Sequence, residues 1–203
     1  MVLEAARKRG ALAQGIEPET ANVEKNLANS LAVEHGYFPR DLEDSGPYSI
    51  IILNYVFEHI PSPDSLCGEI DSRLANGGLL VINLPSSHGA IFRIASMLDK
   101  IGISSPYERL WQKDFTSPHV SYFSPKNLKT MIELKIKLRQ KLMFSLPSVL
   151  RKGLYARVKI SHTSIIDLMM FLAAWSLSFV FPMLRPDIVV CIFSLPNSTF
   201  HKR

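Results

Sequence analysis

Tyr48-Ser49-Ile50-Ile51-Ile52-Leu53-Asn54-Tyr55-Val56-Phe57-Glu58-His59-Ile60-Pro61 decides the reading of this chain. The uncharged run around Ile50–Leu53 suits a strand covered on both faces, as in a parallel α/β sheet. Asn54, Tyr55, Glu58 and His59 follow directly. They therefore lie at the carboxyl end of that strand, where open α/β sheets bind ligands.

Working outward, helix and strand alternate, as in a doubly wound α/β fold. Val2–Arg9 reads as a helix stopped by Gly10, Ala13–Ile16 as a short strand, and Pro18–Leu31 as a helix with proline in its first turn. Tyr37 and Phe38 suggest a brief third strand, and Ser49–Asn54 is the fourth. Asp64–Leu74 is a helix opened by Pro63-Asp64 and closed by Asn76-Gly77, and Leu79–Asn83 is a fifth strand. Ala90–Ile101 has helical spacing, and Ser104–Ser124, rich in aromatics and histidine, suits a lid over the sheet edge. Pro125–Leu134 is a helix capped by Ser124; Lys135–Phe144 suits either a sixth strand or a helix; Asp187–Ser194 is the last strand.

Composition narrows the function classes. The 203 residues are enough for one domain with a sizeable core, and the apolar fraction of 47% is ordinary for a globular protein. A single domain over 1–203 is expected, with a cofactor half at 1–87, a lid-like insertion at 88–124 and a substrate-side half at 125–203. The net charge of +5 is mild, and no Lys/Arg run is interleaved with aromatics, so nucleic acid is not the expected partner. Cys67 and Cys191 stand far apart without C-x-x-C spacing. Together with the lack of a signal-peptide pattern, this points to a reducing, cytoplasmic setting. The six histidines show no metal-ligand spacing, so no metal site is expected, and no G-x-S-x-G elbow marks a hydrolase.

Four segments carry a family resemblance. They are Ala13-Gln14-Gly15-Ile16-Glu17-Pro18, the opening stretch with Val56-Phe57-Glu58-His59-Ile60-Pro61, Asn76–Pro85 with its Gly77-Gly78 turn, and Pro118-His119-Val120-Ser121-Tyr122-Phe123-Ser124-Pro125 with Leu128. In this order and spacing the chain resembles the class I S-adenosylmethionine (SAM) dependent methyltransferases, in the branch that includes quinone O-methyltransferases. The resemblance implies a Rossmann-like, doubly wound, mainly parallel sheet with an antiparallel last strand. It also implies SAM as cofactor and methyl transfer to a small or lipid-like acceptor, at oxygen. The family's first strand and its D-x-G-x-G-x-G turn have no counterpart here; the chain opens on what matches the following helix. The first strand is therefore expected to be missing and the slot beside the fourth strand empty. Ala13–Ile16, Ser49–Asn54, Leu79–Asn83 and Ile188–Phe193 are nevertheless expected in one sheet. The competing reading is a truncated frame or non-catalytic remnant that serves as an interaction or membrane-associated module.

The resemblance also assigns roles. Glu17, followed by Pro18, would accept hydrogen bonds from the cofactor ribose, or else cap the next helix. Asp41 and Leu42 would meet the adenine, or belong to a plain acidic loop. Asn54 and Tyr55 would lie near the sulfonium and amino-acid part of SAM, or form an exposed strand end. Two histidines are the catalytic candidates. His59 would hydrogen-bond substrate or cofactor, or be satisfied by backbone. His119 would be the base or a substrate contact, or only pack in the lid. Tyr107, Trp111, Tyr122 and Phe123 would line an apolar pocket or form core.

From Leu168 to Leu184 no residue is charged. A buried helix, a helix in a membrane interface and a membrane span remain open readings, and the interfacial one would make the protein peripheral to a membrane.

Overall fold

The computed structural model describes residues 2–43, 46–112, 117–146, 176 and 184–196. The chain packs as two compact units, Met1–Pro47 and Tyr48–Arg203.

In the first unit, helix α1 (Val2–Lys8) precedes β1 (Gly15–Glu17), α2 (Thr20–Ala28) and β2 (Val33–His35). Strands β1 and β2 pair in parallel, Gly15 opposite Val33 and Glu17 opposite His35. Gly15 packs against Leu3: a Cβ there would sit 2.8 Å from Leu3 Cδ1, so the leucine side chain would have to shift. The strand expected at Tyr37–Phe38 lies earlier, at Val33–His35. Gly36 at φ 149° turns the chain out of the pair, and Tyr37 beyond it is 60% exposed.

In the second unit, β3 (Tyr48–Asn54) leads through a 3-10 turn, Phe57–His59, into α3 (Pro63–Arg73) and β4 (Leu74–Pro85). Then come α4 (Ala90–Lys100), α5 (Ser105–Leu110), α6 (Pro125–Lys135), β5 (Arg139–Leu146) and β6 (Ile188–Ser194). The sheet order is β3-β4-β6-β5. β3 and β4 are parallel, whereas β6 runs antiparallel to both β4 and β5. The antiparallel last strand is as expected, and Arg139–Leu146 resolves the strand-or-helix ambiguity in favour of a strand.

Two expectations are corrected. Among the described residues the strand at Gly15–Glu17 does not share a sheet with the other three; it pairs with β2 in a two-stranded sheet. Among the described residues β3 bonds along one edge, to β4, and no strand occupies its other edge. Nor is β3 covered on both faces. Ile51 and Leu53 are buried, but Ile50 and Ile52 are 53% and 43% exposed. The alternation continues across the register. Leu80, Ile82 and Leu84 of β4 and Val189, Cys191 and Phe193 of β6 share the buried face. Helix α6 lies against β5 and β6 and also touches α3, which buries Leu66, Cys67 and Ile70.

Ser124 caps α6 as its position before Pro125 suggests: its Oγ accepts a hydrogen bond from the Asn127 N–H at 3.1 Å. Ser124→Ala should therefore lower stability by about 1 kcal/mol. Chemical denaturation at constant m-value reads this, and an unchanged midpoint would show the cap to be energetically idle.

The uncharged Leu168–Leu184 stretch lies outside the described residues apart from Ser176 and Leu184. Among the described residues no helix is long and apolar enough to cross a membrane.

Candidate functional site

The parallel pair β3–β4 brings two loops to one sheet edge. Beyond β3 the chain turns at Tyr55, whose φ of 55° is left-handed and whose N–H donates to the Asn83 carbonyl at 2.9 Å. The 3-10 turn then buries Phe57 and Glu58 completely. Beyond β4, Ser86 bridges to Phe123, and the Ser87 N–H donates to the Phe123 carbonyl. The segment around His119 is tied to the turn by Val120 and Ser121, whose N–H groups both donate to the Glu58 carbonyl, at 2.9 and 3.1 Å. Phe57 and Phe123 pack beneath, ring centroids 5.4 Å apart.

This lacing brings Glu58, His59 and His119 together. One ring nitrogen from each histidine and a Glu58 carboxylate oxygen lie within 4.8 Å of one another. The two imidazoles meet edge to face, centroids 4.7 Å apart. Their tautomers follow from their partners. His59 Nδ1 lies 3.0 Å from the Pro118 carbonyl, which can only accept, so Nδ1 carries the proton. The Tyr122 hydroxyl spends its one hydrogen on the Leu110 carbonyl at 2.9 Å, so it accepts from His119 Nδ1 at 3.0 Å. In a neutral ring the lone pair then lies on Nε2.

Glu58 is the unusual member. It is fully buried, and neither carboxylate oxygen has a hydrogen-bond partner. Burial pushes its pKa up to about 7, against a smaller lowering from its own backbone N–H. Burial, and then the neighbouring His59, lower that of His119, which favours the neutral imidazole. Tyr122 is pushed up to about 12 by burial, with the Glu58 charge second. Around the cluster the aromatics pack on one another: Tyr122 lies 4.7 Å from Phe92 and 5.2 Å from Trp111, and Trp111 lies 6.0 Å from Tyr107.

A buried acid and two histidines thus meet at the carboxyl ends of parallel strands, where α/β sheets bind ligands. The comparison with known families gives it a context. The family model described as a methyltransferase domain matches residues 1–134. The chain belongs to the methyltransferase domain family. Methyl transfer is the chemistry of that family, and the fold agrees. The mycolic acid cyclopropane synthase CmaA1, solved with SAH and CTAB, superposes with a TM-score of 0.59 at 14% identity, over 95% of this chain and 72% of its own. Phosphoethanolamine N-methyltransferase 2 of Haemonchus contortus, solved with S-adenosyl-L-methionine, gives 0.57 at 13% identity, over 96% of this chain and 45% of its own. A SAM dependent methyltransferase of Archaeoglobus fulgidus gives 0.55 at 13%, over 95% and 80%. No curated protein sequence matches the chain.

Within this methyltransferase domain the candidate residues fall in different places. His59 and His119 come together in the second unit. Asn54 stands at the end of β3, where its Oδ1 accepts from Asn83 Nδ2 at 2.7 Å, and Tyr55 follows it. Glu17, Pro18, Asp41 and Leu42 belong to the first unit. One Glu17 carboxylate oxygen accepts from the Glu19 N–H at 3.1 Å, and Pro18 is exposed. Asp41 closes its own loop, accepting from the Tyr37 N–H at 2.9 Å and from both Nε and Nη2 of Arg40. The Arg40 hydrogen bonds, and then the Tyr37 N–H, hold its pKa down to about 2. The Leu42 N–H makes a long 3.4 Å bond to the Pro39 carbonyl.

No metal constellation is expected from the spacing along the chain, yet Glu58, His59 and His119 offer ligand atoms that lie close enough to hold an ion. Spacing along the chain misses this cluster because its members come from two segments; His59 bonds to Pro118, 59 residues further on. Asn83 was also missed as a polar group. Its Oδ1 is buried without a partner beside Asn54. A single asparagine inside an apolar strand is the only sequence signal for it.

Proposed function

We propose that this methyltransferase domain transfers the methyl group of SAM to an oxygen of a small or lipid-like acceptor. The observation that carries this reading is the convergence of Glu58, His59 and His119 at the carboxyl ends of the parallel strands. A neutral imidazole with its lone pair on Nε2 is suited to accept the proton of an acceptor hydroxyl. The acceptor oxygen attacks the methyl carbon in line, the C–S bond breaks to leave the thioether, and His119 Nε2 takes the proton. No covalent enzyme intermediate forms, and most of the acceleration comes from alignment. The ring cluster of Phe92, Trp111 and Tyr122 offers an apolar wall to a ring or isoprenoid acceptor. For the cofactor, the resemblance assigns Glu17 and Pro18 to the ribose, Asp41 and Leu42 to the adenine, and Asn54 and Tyr55 to the methionine part.

Calorimetric titration of the full chain with SAM, and with its demethylated product, tests the reading. Saturable binding of both is expected. Glu17→Ala should weaken it roughly ten- to a hundredfold, the loss of a charge-assisted hydrogen bond. Silence with both ligands from a folded chain leaves the non-catalytic interaction module as the better description.

A further inference from the structure

The buried cluster of Glu58, His59 and His119 brings one potential ligand atom from each residue within 4.8 Å of the others. Both Glu58 oxygens lack a partner. Both histidines have spent their N–H outward, on the Pro118 carbonyl and on the Tyr122 hydroxyl. Convergent lone pairs in a buried place are costly unless something positive sits among them. The outward bonds are also the kind that metal-ligating histidines make. The far ring nitrogen donates to a carbonyl or a fixed hydroxyl, which sets the tautomer and aims the near nitrogen. Here the Tyr122 hydroxyl is itself held by the Leu110 carbonyl, so the orientation is fixed two bonds deep.

We infer that Glu58, His59 and His119 form a three-ligand site for a divalent first-row transition cation of the zinc class. Two of the three donors are imidazole nitrogens, which select such cations over magnesium or calcium, whose sites are built from oxygen. The one carboxylate supplies the charge. Tetrahedral ligands at about 2.1 Å from a zinc ion stand roughly 3.4 Å apart, so the present separations close with side-chain shifts of about 1 Å. Two histidines and one glutamate leave a coordination position open, as in catalytic zinc sites.

The consequence for chemistry rests on the methyl-transfer reading, whereas the binding does not. With a cation in place His119 Nε2 is committed to it and no longer serves as base. A bound cation would hold the acceptor oxygen and lower its pKa, so that the hydroxyl proton is lost to solvent water and the alkoxide or phenolate attacks the methyl carbon.

The test uses the full chain, stripped with a chelator and titrated with zinc chloride and, separately, with magnesium chloride. One equivalent of zinc is expected to bind and magnesium to give no saturable heat. Glu58→Gln and His119→Ala should each weaken zinc binding by about a hundredfold or more while retaining the wild-type circular dichroism. Cobalt(II) added to the wild-type chain gives a second readout that needs no variant. The expected d–d bands should be those of nitrogen and oxygen ligation, without a thiolate charge-transfer band, since Cys67 and Cys191 are buried thiols. No stoichiometric zinc binding, or binding unchanged in both variants, overturns the site; it then holds a shared proton instead. A thiolate band overturns it as well. SAM binding in the zinc-free chain separates failure of this inference from failure of the methyl-transfer reading.

Discussion

Phe193→Ala should cost about 3–5 kcal/mol of unfolding free energy, which is enough to unfold a marginally stable domain. Phe193 is fully buried in β6, opposite Leu80 of β4 on one side and Gln140 of β5 on the other. It thus stands where both antiparallel ladders meet the core face. Truncation removes most of an aromatic side chain from close packing and leaves a cavity that two hydrogen-bonded neighbours keep open. Leu142→Ala in β5, at a residue 49% exposed, is the control and should stay within about 1 kcal/mol. Urea denaturation of both full-length variants checks this. A Phe193→Ala loss no larger than that of Leu142→Ala would mean that β6 is not the centre of the core.

Glu58→Gln should change how stability responds to pH in chelator-treated protein. In the folded chain Glu58 keeps its proton up to about 7, against roughly 4.3 when unfolded. Between these values the folded state binds more protons than the unfolded one, so stability falls as pH rises. The Glu58 contribution is therefore fully present below the unfolded value and lost by the time pH passes 7. The loss integrates to about 4 kcal/mol. Three titratable groups, His59, His119 and Tyr122, face it. His119, with its lowered pKa, pulls the other way, because it must shed a proton to fold below its unfolded value. The comparison between wild type and variant isolates Glu58 from that opposing slope. The two melting temperatures should lie close together at pH 5, and the variant should melt higher at pH 8. Parallel melting curves across that range would show that Glu58 does not hold its proton in the folded state.

Both predictions turn on residues whose importance the sequence shows unequally. Phe193 stands in Ile188–Phe193, a run of apolar β-formers with the pattern of a buried strand. The Ser124 cap, the helix behind it and the parallel strand at Tyr48–Asn54 are legible for the same reason: each depends on residues within one or two turns of chain. The order of four motifs was enough for the family, and the family implies the fold.

Other features were decided only by the tertiary structure. The Ile50–Leu53 run reads as covered on both faces, yet only Ile51 and Leu53 are buried. Hydrophobicity says that a side chain prefers cover, but a neighbouring element must supply it. Pairing is equally non-local. Gly15–Glu17 has the character of a strand, but its partner is β2 and not the larger sheet, because ladder bonds form to the edge that is present. Glu58, His59 and His119 show the same division most sharply. The sequence supplies an acid, two imidazoles and the strand end that two of them follow. Folding back the segment that carries His119, with Val120 and Ser121 bonded to the Glu58 carbonyl, turns them into one site. The composition of the site was written along the chain, but its geometry depends on distances in space that spacing along the chain does not encode.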